Sequence, residues 1–201
     1  MPLPTMHLWV ARKVAEQAGF ELSGRYLLGN ISPDAVKVKK KVDPKDYPYA
    51  HLRNESFQDG WDNAVRLLNS KDTDAFMKGY AIHIMLDHLW ALGPYTKLKN
   101  AVTKKYSEED FKRFYQRDCE FIERWLYRQS DSRSLWTAVM NAPITGFGDH
   151  ISPGEVDLYR KDSYTSLNDG KEMKPVGMIS LTVARAFMDN AAEKIVQTIK
   201  R

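Results

Sequence analysis

The sequence lacks features that would place it in several common classes of protein. Cys119 is the single cysteine, so an internal disulfide is excluded, and such a chain is compatible with a reducing compartment. No apolar run reaches the ~18 residues that a membrane-spanning helix needs. The first residues show no charged start followed by an apolar stretch of signal-peptide length. We therefore expect a cytoplasmic protein with no transmembrane segment.

An excess of charge of one sign is also missing. The chain has 30 Lys and Arg against 26 Asp and Glu, a formal net charge of +4, and both signs are spread along it. A nucleic-acid-binding protein usually concentrates its basic residues on one face, so we expect no specific nucleic-acid partner. The one dense basic run, residues 37–41, is typical of a solvated loop, but it would also attract a phosphate-bearing substrate or an anionic surface.

Strand-like alternation is nearly absent, and helical periodicity dominates the sequence. The 201 residues, of which 43% are hydrophobic, fit one domain with a core. We predict an all-α, single-domain helical bundle of about five main helices with long loops, covering residues 1–201. The main helices are predicted at roughly 6–19, 54–68, 72–92, 107–127 and 176–199, with shorter ones at 132–141 and 154–160. Irregular segments are predicted at 20–53 and 161–175.

One predicted core helix carries groups that bind metals or protons. Residues 79–90 read GYAIHIMLDHLW, with His83 and Asp87 four residues apart. On a helix this spacing places both side chains on one face, about 6 Å apart at Cβ. A buried carboxylate is costly unless it is paired or bound to a metal, and an imidazole and a carboxylate one turn apart can chelate one divalent ion. From this pair alone, a hydrogen-bonded His–Asp pair without a metal stays an open alternative.

Three further candidate ligands lie in the first quarter of the chain. His7 lies in PTMHLW, Asp34 follows a proline in LGNISPDAV, and His51 precedes a predicted helix in YPYAHLRNE. Taken singly, each has an ordinary explanation, such as a turn or a helix cap. The order and spacing of these three residues together with His83 and Asp87 indicate a metal site more strongly than any one of the residues does.

In that order, the motifs resemble the zinc-dependent phospholipase C superfamily, including its small bacterial members. The matching segments are MHLW (6–9), LGNISPD (28–34), HLR (51–53) and GYAIHIMLDHLW (79–90), so the resemblance spans roughly residues 1–92. It implies a phospholipase C/P1 nuclease-like helical fold. It also implies metal ligands at Asp34, His51, His83, Asp87 and His7, the last binding a neighbouring metal that shares Asp87.

The chain departs from the secreted phospholipases in two respects. They bind metal through a processed N-terminal tryptophan, which this sequence does not show. They also supply a histidine followed by His-x-x-x-Glu, whereas His150 is the only histidine after His88 and has no glutamate four residues on. We therefore expect one zinc ion, and two at most, in a mixed nitrogen and oxygen set that also accepts Mn, Fe or Ni.

The resemblance implies a metal-dependent hydrolase acting on a small-molecule phosphoester. A bound ion lowers the pKa of its water towards ~7 and polarises a phosphoryl oxygen, and Asp34 is the candidate catalytic residue that orients or deprotonates that water. Residues that would steer the phosphate are Lys39, Lys40 and Arg53. His88 or Asp118 would hold a metal ligand in place, with a plain structural hydrogen bond as the alternative for His88.

Two other interpretations of the motifs stay open. A phosphohydrolase of the HD type also builds its site from helical histidine and aspartate, but it needs His-Asp in that order, and this chain has Asp87-His88. A non-catalytic or degenerate relative would keep one ion as a structural metal. A closed four-ligand site would favour the structural interpretation, and an open coordination position would favour catalysis.

Overall fold

Helices make up nearly all the regular structure of the residues that the computed structural model describes, which are 2–39, 43–54, 56–102 and 105–199. The α-helices are α1 (Pro4–Ala18), α2 (Gly24–Ile31), α3 (Asp46–Ala50), α4 (Phe57–Asn69), α5 (Ala75–Trp90), α6 (Thr96–Val102), α7 (Glu108–Tyr127), α8 (Ser130–Asn141), α9 (Pro153–Leu167) and α10 (Leu181–Ile199). The all-α prediction is confirmed. None of the described helices combines the length and apolarity needed to cross a membrane.

The segment 20–53, predicted as irregular, contains two short helices and a 3₁₀ helix. Ser23 caps α2 by accepting a hydrogen bond from the backbone N–H of Tyr26, and the 3₁₀ helix Ser32–Val38 follows directly. Helices of eight and five residues are too short to show a repeating apolar period, and they are stable mainly through tertiary packing. The loop prediction was wrong here for that reason.

Two helix ends also differ from the prediction. The helix predicted at 72–92 is not followed by a loop, because after α5 the chain passes through a π-helical turn, Ala91–Tyr95, straight into α6. A wider turn accommodates the missing N–H and the ring of Pro94. Helix α9 continues to Leu167, so the predicted loop at 161–175 begins only after that residue.

Helix α5 occupies the centre of the core, and twelve of its sixteen residues are buried. It crosses α2 on one side and packs against α4 on another, while α1 packs against α10 and α9 covers the 3₁₀ helix. At the α2–α5 crossing, glycines allow the two backbones to touch. A Cβ on Gly29 would overlap the carbonyl oxygen of Phe76, and a Cβ on Gly79 would overlap that of Tyr26.

We expect Gly79→Ala to lower the free energy of unfolding by about 3 kcal/mol or more, because the added methyl meets backbone atoms that cannot move aside. Urea denaturation followed by circular dichroism measures the loss. Gly93→Ala is the matched control, since a Cβ there has no atom within 4 Å. Equal stability of the two variants would show that the α2–α5 crossing is looser than described.

Candidate metal centre

The structure brings all five predicted ligand residues into one buried cluster. His7 comes from α1, Asp34 from the 3₁₀ helix, His51 from the C-terminal end of α3, and His83 and Asp87 from α5. Each has 2% or less of its surface exposed. Residues that are far apart in the sequence therefore meet at the face of α5 that carries the His83–Asp87 pair.

Asp87 lies at the centre of the cluster. Its Oδ1 is 3.5 Å from His7 Nε2, and its Oδ2 is 3.5 Å from His51 Nε2 and 3.6 Å from His83 Nε2. These separations are longer than the ~2.7–3.2 Å of a hydrogen bond. Two atoms that share a tetrahedral zinc at ~2.0–2.2 Å lie about 3.3–3.6 Å apart, so the spacing fits side chains arranged around a common ion.

The atoms that face one another in the cluster have no hydrogen-bond partner. They are His7 Nε2, Asp34 Oδ1, His51 Nε2, His83 Nε2 and both carboxylate oxygens of Asp87. A buried polar atom left without a partner costs about 1–3 kcal/mol, so this many together need an explanation. A bound cation would satisfy all of them at once.

The ligand atoms form two overlapping groups of three, His7–His83–Asp87 and Asp34–His51–His83. Within each group the atoms lie within 4.8 Å of one another. The groups share His83, and the two oxygens of Asp87 face different histidines. The cluster could therefore hold one ion, or two ions with Asp87 between them.

Backbone carbonyls orient two of the imidazoles. His83 Nδ1 is 2.8 Å from the carbonyl oxygen of Asn30, and His51 Nδ1 is 2.9 Å from that of Tyr47. A carbonyl can only accept, so each Nδ1 carries the proton and each Nε2 presents a lone pair to the cluster. Such outer hydrogen bonds typically fix the tautomer of a metal-binding histidine.

His7 is held in its neutral form. Its ring stacks on that of His83, with the centroids 3.8 Å apart and the planes 7° from parallel. Burial and, to a smaller extent, the neighbouring His83 lower the pKa of His7 from 6.5 to about 4, although Asp87 and Asp34 oppose the shift. A neutral imidazole is the form that binds a metal.

A carboxylate from α7 fixes the position of α1 and hence of His7. Glu123 accepts hydrogen bonds from the backbone N–H of Thr5 at 2.8 Å and from its hydroxyl at 2.7 Å, and Trp136 Nε1 donates to the same hydroxyl at 2.9 Å. A negative charge at a helix N-terminus is favourable. Burial nevertheless raises the pKa of Glu123 from 4.5 to about 7, although the Thr5 hydrogen bonds oppose that rise.

Two residues that the sequence analysis did not assign to the site contact Asp34, and one of them, Lys37, belongs to the basic run at 37–41. Tyr159 on α9 donates a hydrogen bond to Oδ2 at 3.3 Å, and Lys37 Nζ lies 2.6 Å from Oδ1. Burial alone would raise the pKa of Asp34, but Lys37 and His51 outweigh burial and hold that pKa far below its usual range. Asp34 is therefore ionised, as a metal ligand must be.

A surface cleft of about 650 Å³ opens beside the cluster. Its lining includes Lys37, Tyr159, Glu123, Arg124, Asp169 and Lys171. Because Lys37 and Tyr159 both contact Asp34, the cleft reaches the cluster on the Asp34 side. Its volume is in the range of small-molecule sites.

Two of the three residues proposed to steer a phosphate have other contacts. Lys39 is paired with Asp46 at 3.1 Å, and the guanidinium of Arg53 is 3.6 Å from the centre of the Phe57 ring. Lys40 lies outside the described residues. The role of these three residues stays a prediction, and Lys37 is the cation that contacts the carboxylate of Asp34.

The roles considered for His88 and Asp118 resolve differently. His88 Nδ1 donates a hydrogen bond to the carbonyl oxygen of Phe57 at 3.1 Å, as expected if His88 has a structural role. This contact gives no support to an HD-type site. Asp118 accepts hydrogen bonds from three backbone N–H groups ahead of α10, so the suggestion that it holds a metal ligand was wrong. The donors are Val176, Gly177 and Ile179, at 2.6, 3.2 and 2.9 Å.

Comparison with known proteins gives no relative: no protein-family model matches the chain, and no curated protein or solved structure matches it either. The phospholipase C resemblance therefore rests on the motifs, and the candidate centre rests on its geometry.

We expect zinc to stabilise the protein through this cluster. At a free zinc concentration about 100 times Kd, the free energy of unfolding should rise by about 3 kcal/mol, measured by urea denaturation with and without the metal. Asp87→Asn should abolish the rise, because the amide removes the central anionic ligand. His88→Asn, at the next position on α5, should keep it. An equal response in both variants would place the bound zinc elsewhere.

The protonation of Glu123 predicts a distinct pH dependence. Between pH 4.5 and about 7 the folded chain keeps a proton on Glu123 that the unfolded chain loses, so the free energy of unfolding falls by about 3 kcal/mol as pH rises through this window. Glu123→Gln keeps an acceptor oxygen for Thr5 and removes the titration. Relative to the wild type, it should therefore gain about that much stability between pH 5 and pH 8.

Urea denaturation of the chelator-treated proteins at pH 5, 6, 7 and 8 measures this difference. The control is Glu120→Gln, in the preceding turn of α7, whose side chain bonds Gln116 rather than α1; its pH profile should follow the wild type. A Glu123→Gln profile parallel to the wild type would show that Glu123 is ionised in the fold throughout.

Proposed function

We propose that the protein is a divalent-metal-dependent hydrolase, with zinc as its native metal, that cleaves a small-molecule phosphoester. The observation that carries the proposal is the cluster of five buried ligand residues whose facing atoms lack hydrogen-bond partners. Three imidazoles with two carboxylates form a set that suits zinc and also tolerates Mn, Fe or Ni. One ion is expected, and a second could bind only if the carboxylate of Asp87 bridges the two ions.

The bound metal would supply a Lewis acid and a water of lowered pKa. The chain's own residues would position the reactants around it. Asp34 is held from two sides, by the Tyr159 hydroxyl and by Lys37, and lies at the cleft side of the cluster. This placement supports its assignment as the residue that orients the attacking water or accepts its proton.

The choice of a phosphoester is supported by one cation of the cleft, Lys37, whose ammonium lies beside the cluster and would attract an anionic substrate. The cleft lining as a whole is balanced in charge, since Lys37, Arg124 and Lys171 are accompanied by Glu120, Glu123 and Asp169. The volume suits a soluble phosphomonoester or phosphodiester as well as a lipid headgroup, so a membrane lipid is not required. A cytoplasmic location stays a prediction.

A structural metal is the second candidate function, and one observation favours it. All five ligand residues are at least 98% buried, and a metal closed off by four protein ligands has no position for a substrate. If His7, His51, His83 and Asp87 all bind one ion together with Asp34, the metal would stabilise the fold without catalysing a reaction.

The test is reconstitution of the metal-free protein with one equivalent of zinc, followed by hydrolysis of p-nitrophenyl phosphate and bis(p-nitrophenyl) phosphate. We expect turnover that chelator removes and zinc restores. In Asp34→Asn we expect weaker zinc binding and, at a zinc concentration that saturates the variant, a loss in kcat of about 10²-fold, the usual contribution of a positioned acid–base group.

Asp46→Asn is the control, because Asp46 is a carboxylate on the neighbouring α3 whose partner is Lys39. It should keep wild-type turnover. One tightly bound zinc per chain, with no turnover on either substrate under added Zn, Mn, Fe or Ni, would contradict the hydrolase proposal and support the structural metal.

A further inference from the structure

Lys37 occupies a position that a metal-binding site does not require. The 3₁₀ helix Ser32–Val38 has three residues per turn, so Lys37 lies directly above Asp34. Its Nζ is 2.6 Å from Asp34 Oδ1, and that oxygen also lies 3.7 Å from His51 Nε2. An ammonium group therefore contacts the oxygen that a metal ion in this cluster would use.

The contact between Lys37 and Asp34 is an ion pair without a hydrogen bond, since Asp34 Oδ1 has no hydrogen-bond partner. The two side chains also differ in environment: 41% of the Lys37 side chain is exposed, against 3% for Asp34. Lys37 thus reaches from the surface to a buried anion, and only one of the two partners is fixed by packing. Such a pair can separate through motion of the lysine alone.

We propose that Lys37 changes partner when the cluster binds its metal, and that the released ammonium becomes the binding group for an oxyanion in the adjoining cleft. The inference rests on the proposed function and names the substrate feature that the cleft recognises, a phosphate-type group. A divalent ion and an ammonium on the same carboxylate oxygen repel each other. The flexible four-carbon stem of lysine lets its charge leave, and the cleft that Lys37 lines is the space open to it.

The other cations of the described cleft lining are already paired with a carboxylate. Arg124 donates two hydrogen bonds to Asp169, at 2.8 and 3.0 Å. Lys171 Nζ lies 3.5 Å from the same carboxylate and 73% of its side chain is exposed. Lys37 differs from both, because its partner is also a candidate metal ligand. Metal binding would therefore free this cation and leave the other two in place.

The first measurement is zinc affinity without phosphate, by competition with a chromophoric chelator at fixed pH. Lys37→Met should bind zinc about tenfold more tightly than the wild type, if the ion pair holds Asp34 in about nine-tenths of the metal-free molecules. Lys171→Met, which removes one charge from the same cleft, should match the wild type within about twofold.

The second measurement is calorimetric titration of the zinc-loaded proteins with inorganic phosphate. Lys37→Met should bind phosphate about tenfold or more weakly than the wild type, as expected for a lost hydrogen bond to a charged group. Lys37→Arg should keep most of the affinity, because a guanidinium also binds oxyanions. Circular dichroism checks that each variant is folded, and Lys37→Gln replaces Lys37→Met if the latter is not.

The outcomes separate the two proposals. If the wild type binds no zinc, the proposed function itself fails. If it binds zinc but takes up phosphate equally well with and without Lys37, or does not bind phosphate, the partner change is wrong and the metal centre stands. An equal loss in Lys171→Met would also overturn it, because the cleft would then act through its overall charge.

Discussion

The negative charge of Asp87, buried among three imidazoles, is the constraint on which the rest of the site depends. Burial opposes the charge, and the surrounding histidines His83, His51 and His7 hold the pKa of Asp87 well below its usual range. A buried carboxylate is costly unless it is paired or bound to a metal. Here the distances from Asp87 to the three imidazoles are longer than those of hydrogen bonds, and a bound cation would complete the arrangement.

The scaffold around this charge is closely packed where α2 crosses α5. His83 is oriented by a backbone carbonyl of α2, and α2 meets α5 through glycines that leave no room for a side chain. The side chain of Asn30 adds a hydrogen bond to the carbonyl of Gly79 at 3.1 Å. The crossing that closes the core thus also sets the direction of a candidate ligand, which is how a folded backbone preorganises a site.

The part of the site that the sequence predicts is the part that has a local pattern. His83 and Asp87 follow from helical spacing, and Asp34, His51 and His7 from a motif order that needs no knowledge of packing. Tyr159 lies 125 residues from Asp34 in the chain. It falls within the helix predicted at 154–160, but only the packing of α9 against the 3₁₀ helix brings it to Asp34, and no local pattern reveals that packing. Asn30 acts on His83 through its main-chain oxygen, which every residue possesses and no sequence pattern reveals.

The same reasoning explains which parts of the fold could be predicted. Helix α7 begins after Ser107, whose side chain accepts a hydrogen bond from the N–H of Asp110 at 3.1 Å. Such a cap can be predicted from the sequence. Helix α2 has a similar cap, Ser23, but α2 and α3 are too short to show a repeating apolar period. The start of α10 at Leu181 instead of 176 depends on Asp118, which holds the preceding segment by its backbone amides.

The five candidate ligands all lie between residues 7 and 87, whereas α7 and α9 supply most of the cleft wall. The candidate ligands and most of the cleft wall are thus encoded in separate stretches of the chain, with Lys37 as a cleft residue of the early stretch. Substitutions in α7 and α9 could therefore change the shape of the cleft while the candidate ligands stay unaltered.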